Sequence, residues 1–200
     1  QITFTCKDIR PDAIKIGMLH SSEVIKMVLK ALDLIKVKKI VLDPVMVAKG
    51  GAKLIDNKAI QLLKSKLIKK VSIITPNIPE AEVITGSKIN NIDDLEKMGK
   101  SIIKMGIDNV LMKGGHLESD MLTDILITRE NTEYFESKKI ITKNSHGTGC
   151  TLSSAIACGL GQQLSLKESI NRAHKYVYKS ILNAPNIGKG NGPLNHLIKV

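Results

Sequence analysis

The sequence predicts an α/β protein with a mostly parallel central sheet flanked by helices. Short apolar runs of strand length alternate with longer stretches at helical spacing, which is the pattern of βαβ units. Only 2% of the 200 residues are aromatic and none is Trp, so Ile, Leu, Val and Met must fill the interior, as in sheets buried on both faces. Run after run stops in a polar loop, and parallel sheets bind ligands at the carboxyl ends of their strands.

The first run, Ala13 to Leu19, lies between Pro11 and Ser21-Ser22 and reads as a buried strand. Val24, Ile25, Val28, Leu29 and Leu32 then recur at helical spacing, and the strand Ile40-Val41-Leu42 ends at Asp43-Pro44. Asp56 is placed to cap a helix carrying Ile60, Leu62, Leu63 and Leu67, before a strand over 71–74 that stops at Thr75-Pro76-Asn77. A helix over 92–104 leads to the strand Val110-Leu111-Met112 and the loop Lys113-Gly114-Gly115. Residues 121–128 and 133–140 read as a hairpin turning at 129–132. The last third is helical, over 151–160 and again after the capping box Ser165-Leu166-Lys167-Glu168, through Ile181. No repeat and no linker divides the chain, so residues 1–200 read as a single domain.

The net charge of +11 comes from lysines scattered along helix faces without interleaved aromatics, which argues against a nucleic-acid partner and leaves a surface that attracts small anions. Cys6, Cys150 and Cys158 fit neither a disulfide framework nor a zinc motif and imply a reducing compartment. There is no apolar run of membrane length and no leader-like start, so the expectation is a cytoplasmic protein without a membrane partner.

The stretch Ser145-His146-Gly147-Thr148-Gly149-Cys150-Thr151 is a glycine-rich turn entering a helix of small residues. Glycines let backbone N–H groups approach a phosphate, and the helix dipole stabilises charge developed during transfer. Cys150 falls in the first turn, where the dipole favours thiolate; it is then a base or polariser, or else it merely packs. Asn77 and Glu80, three apart after Pro76, present an amide and a carboxylate that suit a magnesium–phosphate group, or else cap a helix. Asp43 adds a carboxylate at the same sheet edge, and Lys113 with Gly114, Gly115 and His116 adds a cation and flexible backbone; each alone is also ordinary turn punctuation. Together these describe a place for a nucleotide triphosphate with a divalent ion. No P-loop occurs, and Leu152 stands where a dinucleotide fingerprint needs its third glycine.

The blocks Lys15-Ile16-Gly17-Met18-Leu19, Asp43-Pro44-Val45-Met46-Val47, Thr75 to Ala81, Lys113 to His116, His146 to Thr151 and Gly192-Pro193-Leu194-Asn195-His196 stand in the order found in hydroxymethylpyrimidine/phosphomethylpyrimidine kinases of thiamine biosynthesis, and the chain resembles that ribokinase-like family along essentially its whole length. The resemblance implies ATP and Mg2+ as cofactors. It implies an anion hole and catalytic centre at Gly147, Thr148, Gly149 and Cys150, with Cys150 where most ribokinase-like enzymes carry an Asp. It places Asp43, Asn77, Lys113 and Gly115 on the nucleotide, Glu80 and Asp43 on the metal, and Met18 and Cys150 against the pyrimidine.

It further implies a homodimer. Members of the family open with a strand and a glycine-rich segment that has no counterpart before Gln1, so the sequence reads as N-terminally truncated, its opening strands missing and a complementary N-terminal fragment a conceivable partner. The alternatives are a pyridoxal/pyridoxine kinase, which shares the glycine–cysteine turn, and a catalytically inactive remnant.

Overall fold

Period-two alternation along short central strands decides how this molecule layers. The computed structural model describes residues 1–47, 54–115 and 120–199. Four parallel strands, β1 (Ile14–Ile16), β2 (Ile40–Leu42), β3 (Ile73–Ile74) and β4 (Asn109–Met112), are followed in the same sheet by the antiparallel hairpin β5 (Met121–Thr128) and β6 (Thr132–Lys138). Strand order equals chain order, so β6 again points the way β1 to β4 do.

Ile40 and Leu42, Ile74, Val110 and Met112, and Ile125 and Ile127 face one apolar cluster, while Val41, Ile73, Leu111 and Leu126 face a second. Both faces of the sheet are therefore dry, which is why these segments read as continuous apolar runs.

The first face is covered by α2 (Ser22–Ile35), α3 (Asn57–Leu62), α4 (Ile78–Thr85) and α5 (Ile92–Ile103), and the second by α6 (Thr148–Gly161) and α7 (Leu166–Leu182). Side chains close most helix starts. Ser21, Asp56 and Asn91 accept backbone N–H bonds from Val24, Ala59 and Asp94, and Ser165 forms a capping box with Glu168. Among the described residues, two α-helices lack such a cap: α6, whose N-cap is Gly147, and the short first helix at Ile2–Asp8. The first amides of α6 are left for another partner.

Several expected boundaries shift. The first strand keeps only Ile14–Ile16 of the run over 13–19, and β3 keeps only Ile73–Ile74 of 71–74. The helix after Asp56 passes into a π-helical turn at Leu63–Leu67 and a 3-10 turn at Ile68–Lys70. The small-residue helix starts at Thr148 rather than at Thr151. A first helix, α1 (Ile2–Asp8), has no buried residue, and its sequence offers no apolar period by which to read it.

Leu111 is fully buried in the central β4 and packs toward α6 and α7. Leu111→Ala should cost about 2–5 kcal/mol, seen as a lower urea midpoint at unchanged slope.

Candidate active site

The carboxyl edge of the sheet gathers polar side chains around one buried carboxylate. Asp43 directly follows β2, is 1% exposed, and is tied to the neighbouring strand by its N–H, which donates to the Ile16 carbonyl at 2.9 Å. Its Oδ1 lies 2.9 Å from Lys113 Nζ and accepts from Thr75 Oγ1 at 3.4 Å. Its Oδ2 accepts from Ser153 Oγ at 3.3 Å and stands 3.8 Å from Lys15 Nζ. A carboxylate removed from water survives only with such partners, and here they come from β1, the end of β3, the end of β4 and the second turn of α6.

Lys113 is fixed by its backbone as well. Its N–H donates to the Pro76 carbonyl at 2.9 Å, in a parallel bridge opposite Asn77. The next residue, Gly114, donates its N–H at 2.9 Å to the buried Asp124 of β5, whose other oxygen lies 3.3 Å from His174 Nε2 on α7. His174 stacks on Phe135. The turn that carries Lys113 thus has a buttress behind it.

Asn77 and Glu80 form a full capping box: Asn77 Oδ1 accepts the Glu80 N–H at 2.9 Å, and Glu80 Oε2 accepts the Asn77 N–H at 2.8 Å. The cap reading of this pair is therefore realised, and the same Glu80 oxygen still stands 3.9 Å from Lys113 Nζ. Burial pushes the Glu80 carboxyl up to about 7, with Lys113 and the Asn77 N–H opposing and Asp43 adding to the rise. Burial works against the Lys113 ammonium, yet Asp43, Glu80 and Asp124 hold its pKa above the ordinary lysine value.

The glycine turn closes over this cluster. Gly147 has φ +83°, which favours glycine, and Thr148 Oγ1 donates to the Ser145 carbonyl at 2.9 Å, so the open helix start points at the cluster without a cap of its own. A methyl group at Gly149 would lie 3.2 Å from Lys113 Nζ, so the absent side chain is what brings the amides beside that cation. Cys150 keeps an open face.

The surroundings of Cys150 oppose the helix dipole: partial loss of solvent raises the thiol pKa above its usual value, Asp43 raises it further by charge and hydrogen bonding, and Lys15 and Lys113 only partly offset this.

Asp43, Asn77, Glu80, Lys113, Gly149 and Cys150 are thus brought together, with Gly147 and Thr148 forming the turn above them. Gly115 lies two residues beyond Lys113, and Met18, 50% exposed, two residues beyond β1 at the same edge. His116 falls outside the described residues. Lys15, Thr75, Ser153 and Asp124 belong to the cluster but were not picked out from sequence. For Lys15 the available signal was a lysine between two isoleucines in a strand; for Ser153 it was a hydroxyl three residues into the helix from Cys150. A hollow of about 490 Å³, bordered by Cys150, Thr151, Ser154, Cys158, Arg172 and Tyr176, opens beside the thiol. A larger one, of about 640 Å³, lies between β6 and α7, away from these groups.

Carboxylates, lysines and open amides converging at the strand ends of a largely parallel sheet define a ribokinase-like small-molecule kinase. The sequence profile described as phosphomethylpyrimidine kinase matches residues 1–195, so the chain belongs to the phosphomethylpyrimidine kinase family.

It is 42% identical over 198 residues to the thiamine biosynthesis bifunctional protein of Geobacter sulfurreducens, covering 99% of this chain and 40% of that protein. It is 38% identical over 197 residues to the hydroxymethylpyrimidine/phosphomethylpyrimidine kinase of Bacillus subtilis, covering 98% of this chain and 73% of that protein. The crystal structure of phosphomethylpyrimidine kinase from Clostridium difficile superposes with TM-score 0.79 at 40% identity, covering 90% of this chain and 73% of that one. The pyridoxal kinase of Staphylococcus aureus in complex with AMP-PCP superposes with TM-score 0.89 at 30% identity, covering 97% and 71%. Among the described residues, no helix is long and apolar enough to cross a membrane.

The raised Glu80 carboxyl has a consequence for stability. Its folded-state pKa, about 7, exceeds the ordinary carboxylate value of 4.5, so its stabilising contribution is complete below the lower value and is lost as pH rises through about 7. In metal-free buffer, Glu80→Gln should abolish a fall of up to about 3 kcal/mol in unfolding free energy across that window, read from urea midpoints.

Proposed function

We propose that the chain catalyses ATP-dependent phosphorylation of hydroxymethylpyrimidine and of its monophosphate, the route to the pyrimidine half of thiamine diphosphate. The observation that carries this is the meeting of Asp43, Glu80 and Lys113 with the uncapped start of α6 at Gly149. Phosphoryl transfer needs this more than it needs covalent chemistry: positioned cations and amides for charge on the equatorial oxygens.

In this reading Lys113 and the amides of Gly147, Thr148 and Gly149 receive the transferring phosphate, while Asn77, Asp43 and Gly115 orient the nucleotide. Mg2+ would be held by Glu80 and Asp43. The donor set suits it: two carboxylates lie beside Lys113, and no group of three or more His, Cys, Asp or Glu among the described residues would hold a metal alone. Magnesium accepts one or two carboxylates together with phosphate oxygens, and it would screen the charge between the phosphates. Met18 and the hollow beside Cys150 take the acceptor ring. Cys150 acts as a thiol that touches the acceptor hydroxyl and donates toward Asp43, not as the base. A homodimer, a cytoplasmic address and one domain over 1–200 are parts of the same reading.

Incubation with ATP, Mg2+ and each alcohol separately should give faster phosphorylation of hydroxymethylpyrimidine than of pyridoxal; the reverse preference would overturn the assignment. Cys150→Ser should lower turnover about tenfold or more while leaving the ionisations of the pH–rate profile in place, because in this reading the thiol is not the base.

A further inference from the structure

Among the described residues, Lys15 is the cation of the cluster that the reading above leaves without a task. It sits in the middle of β1, between Ile14 and Ile16. Ile16 packs into the first apolar cluster, so strand alternation turns Lys15 to the opposite face, the side of α6. A lysine there would have to snorkel out or find a carboxylate.

It does the second by folding back over its own strand. A methyl group at Gly17 would lie 2.8 Å from Lys15 Nζ, and across the bare glycine the ammonium reaches to 3.8 Å from Asp43 Oδ2.

Charge accounting singles it out further. Lys113 has Asp43 at 2.9 Å and Glu80 at 3.9 Å, whereas Lys15 has the same Asp43 at 3.8 Å, beyond hydrogen-bonding distance. Lys113 is backed by Asp124 as well, so the less tightly held ammonium is that of Lys15, whose side chain is 21% exposed against 13% for Lys113. Lys15 stands on β1, the strand that leads directly to Met18, so it lies toward the acceptor side in the function proposed above.

We propose that Lys15 binds the phosphate of the acceptor when the acceptor is a phosphomonoester, and so lets one site serve both a neutral alcohol and its monophosphate. This deepens the function proposed above and rests on it. The two transfers differ in what they ask of the protein. In the first, the acceptor hydroxyl must lose a proton as its oxygen bonds to the γ-phosphorus, and the acceptor brings no charge. In the second, a non-bridging oxygen of the acceptor phosphate attacks the γ-phosphorus. A new P–O bond forms, the bond to the β,γ-bridging oxygen breaks, and ADP leaves with that electron pair. A phosphomonoester with its second pKa at about 6 is mostly dianionic at neutral pH, so no proton has to be removed. The obstacle is repulsion between two polyanions, which a spare cation on the acceptor side relieves.

The test compares wild type, Lys15→Met and Lys15→Arg for calorimetric binding of hydroxymethylpyrimidine and of its monophosphate, with kcat/KM for both in the presence of ATP and Mg2+. Lys15→Met should weaken the monophosphate about tenfold or more beyond any loss for the alcohol, and Lys15→Arg should restore part of that difference. Gly17→Ala, which pushes the ammonium aside, should give a milder version of the same pattern. Equal losses for the two acceptors, or no loss for either, would refute the role of Lys15 while leaving the kinase assignment standing. A wild-type chain that binds neither pyrimidine would instead refute the assignment and this proposal with it.

Discussion

The structure turns on a single carboxylate kept out of water. Asp43, 1% exposed, holds Lys113 at 2.9 Å and Lys15 at 3.8 Å, and accepts from Thr75 and Ser153. Burying such a group adds little net stability, because the desolvation it suffers offsets much of what its partners return. Removing one partner is another matter, since it strands the remaining charge. The arrangement is accordingly better understood as a fixed electrostatic frame than as a stabilising bridge. It cross-links the carboxyl ends of separate strands to the first turns of α6, and so fixes where an anion meets positive charge.

The topology explains why this frame can be assembled from distant residues. Every parallel strand delivers its next residue to the same edge, so Met18, Asp43, Thr75 and Lys113 arrive together although nearly a hundred positions separate the first from the last. The hairpin β5–β6 serves two purposes. It returns the chain to that edge for the glycine turn, and it places Asp124 under the Gly114 N–H, so that the loop carrying Lys113 rests on a buried acceptor instead of on solvent. The same logic makes α6, among the described residues, the helix whose N-cap is glycine, since a side-chain cap would occupy the amides that face the cluster.

Much of this was readable from the chain. Short apolar runs gave the strands and their polar stops, and Asp56 and Ser165 marked helix starts by their own hydrogen-bonding chemistry. What was not readable shares a cause. The π turn at Leu63–Leu67 and the helix at Ile2–Asp8 are set by packing and register that no local pattern records. Lys15 was hidden because it stands inside an apolar run, where a charged residue looks like an interruption until its strand neighbour is known to be the one carrying Asp43. For Cys150 a dipole is legible from helix position, but the loss of solvent that raises its thiol pKa, and the Asp43 carboxylate that adds to it from more than a hundred positions earlier, are not.

The neighbours in fold space show how the labour is divided. A pyridoxal kinase at 30% identity superposes with TM-score 0.89, while a phosphomethylpyrimidine kinase at 40% identity superposes with TM-score 0.79. Backbone shape alone therefore does not rank the acceptors, and in the function proposed above it need not, because there the frame around Asp43 serves the phosphates. In that function, discrimination falls to side chains at the open edge, where Lys15 of β1 and Met18 two residues beyond it stand three positions apart. Two residues of such opposite character suit one site for an apolar ring and for the charge the ring carries.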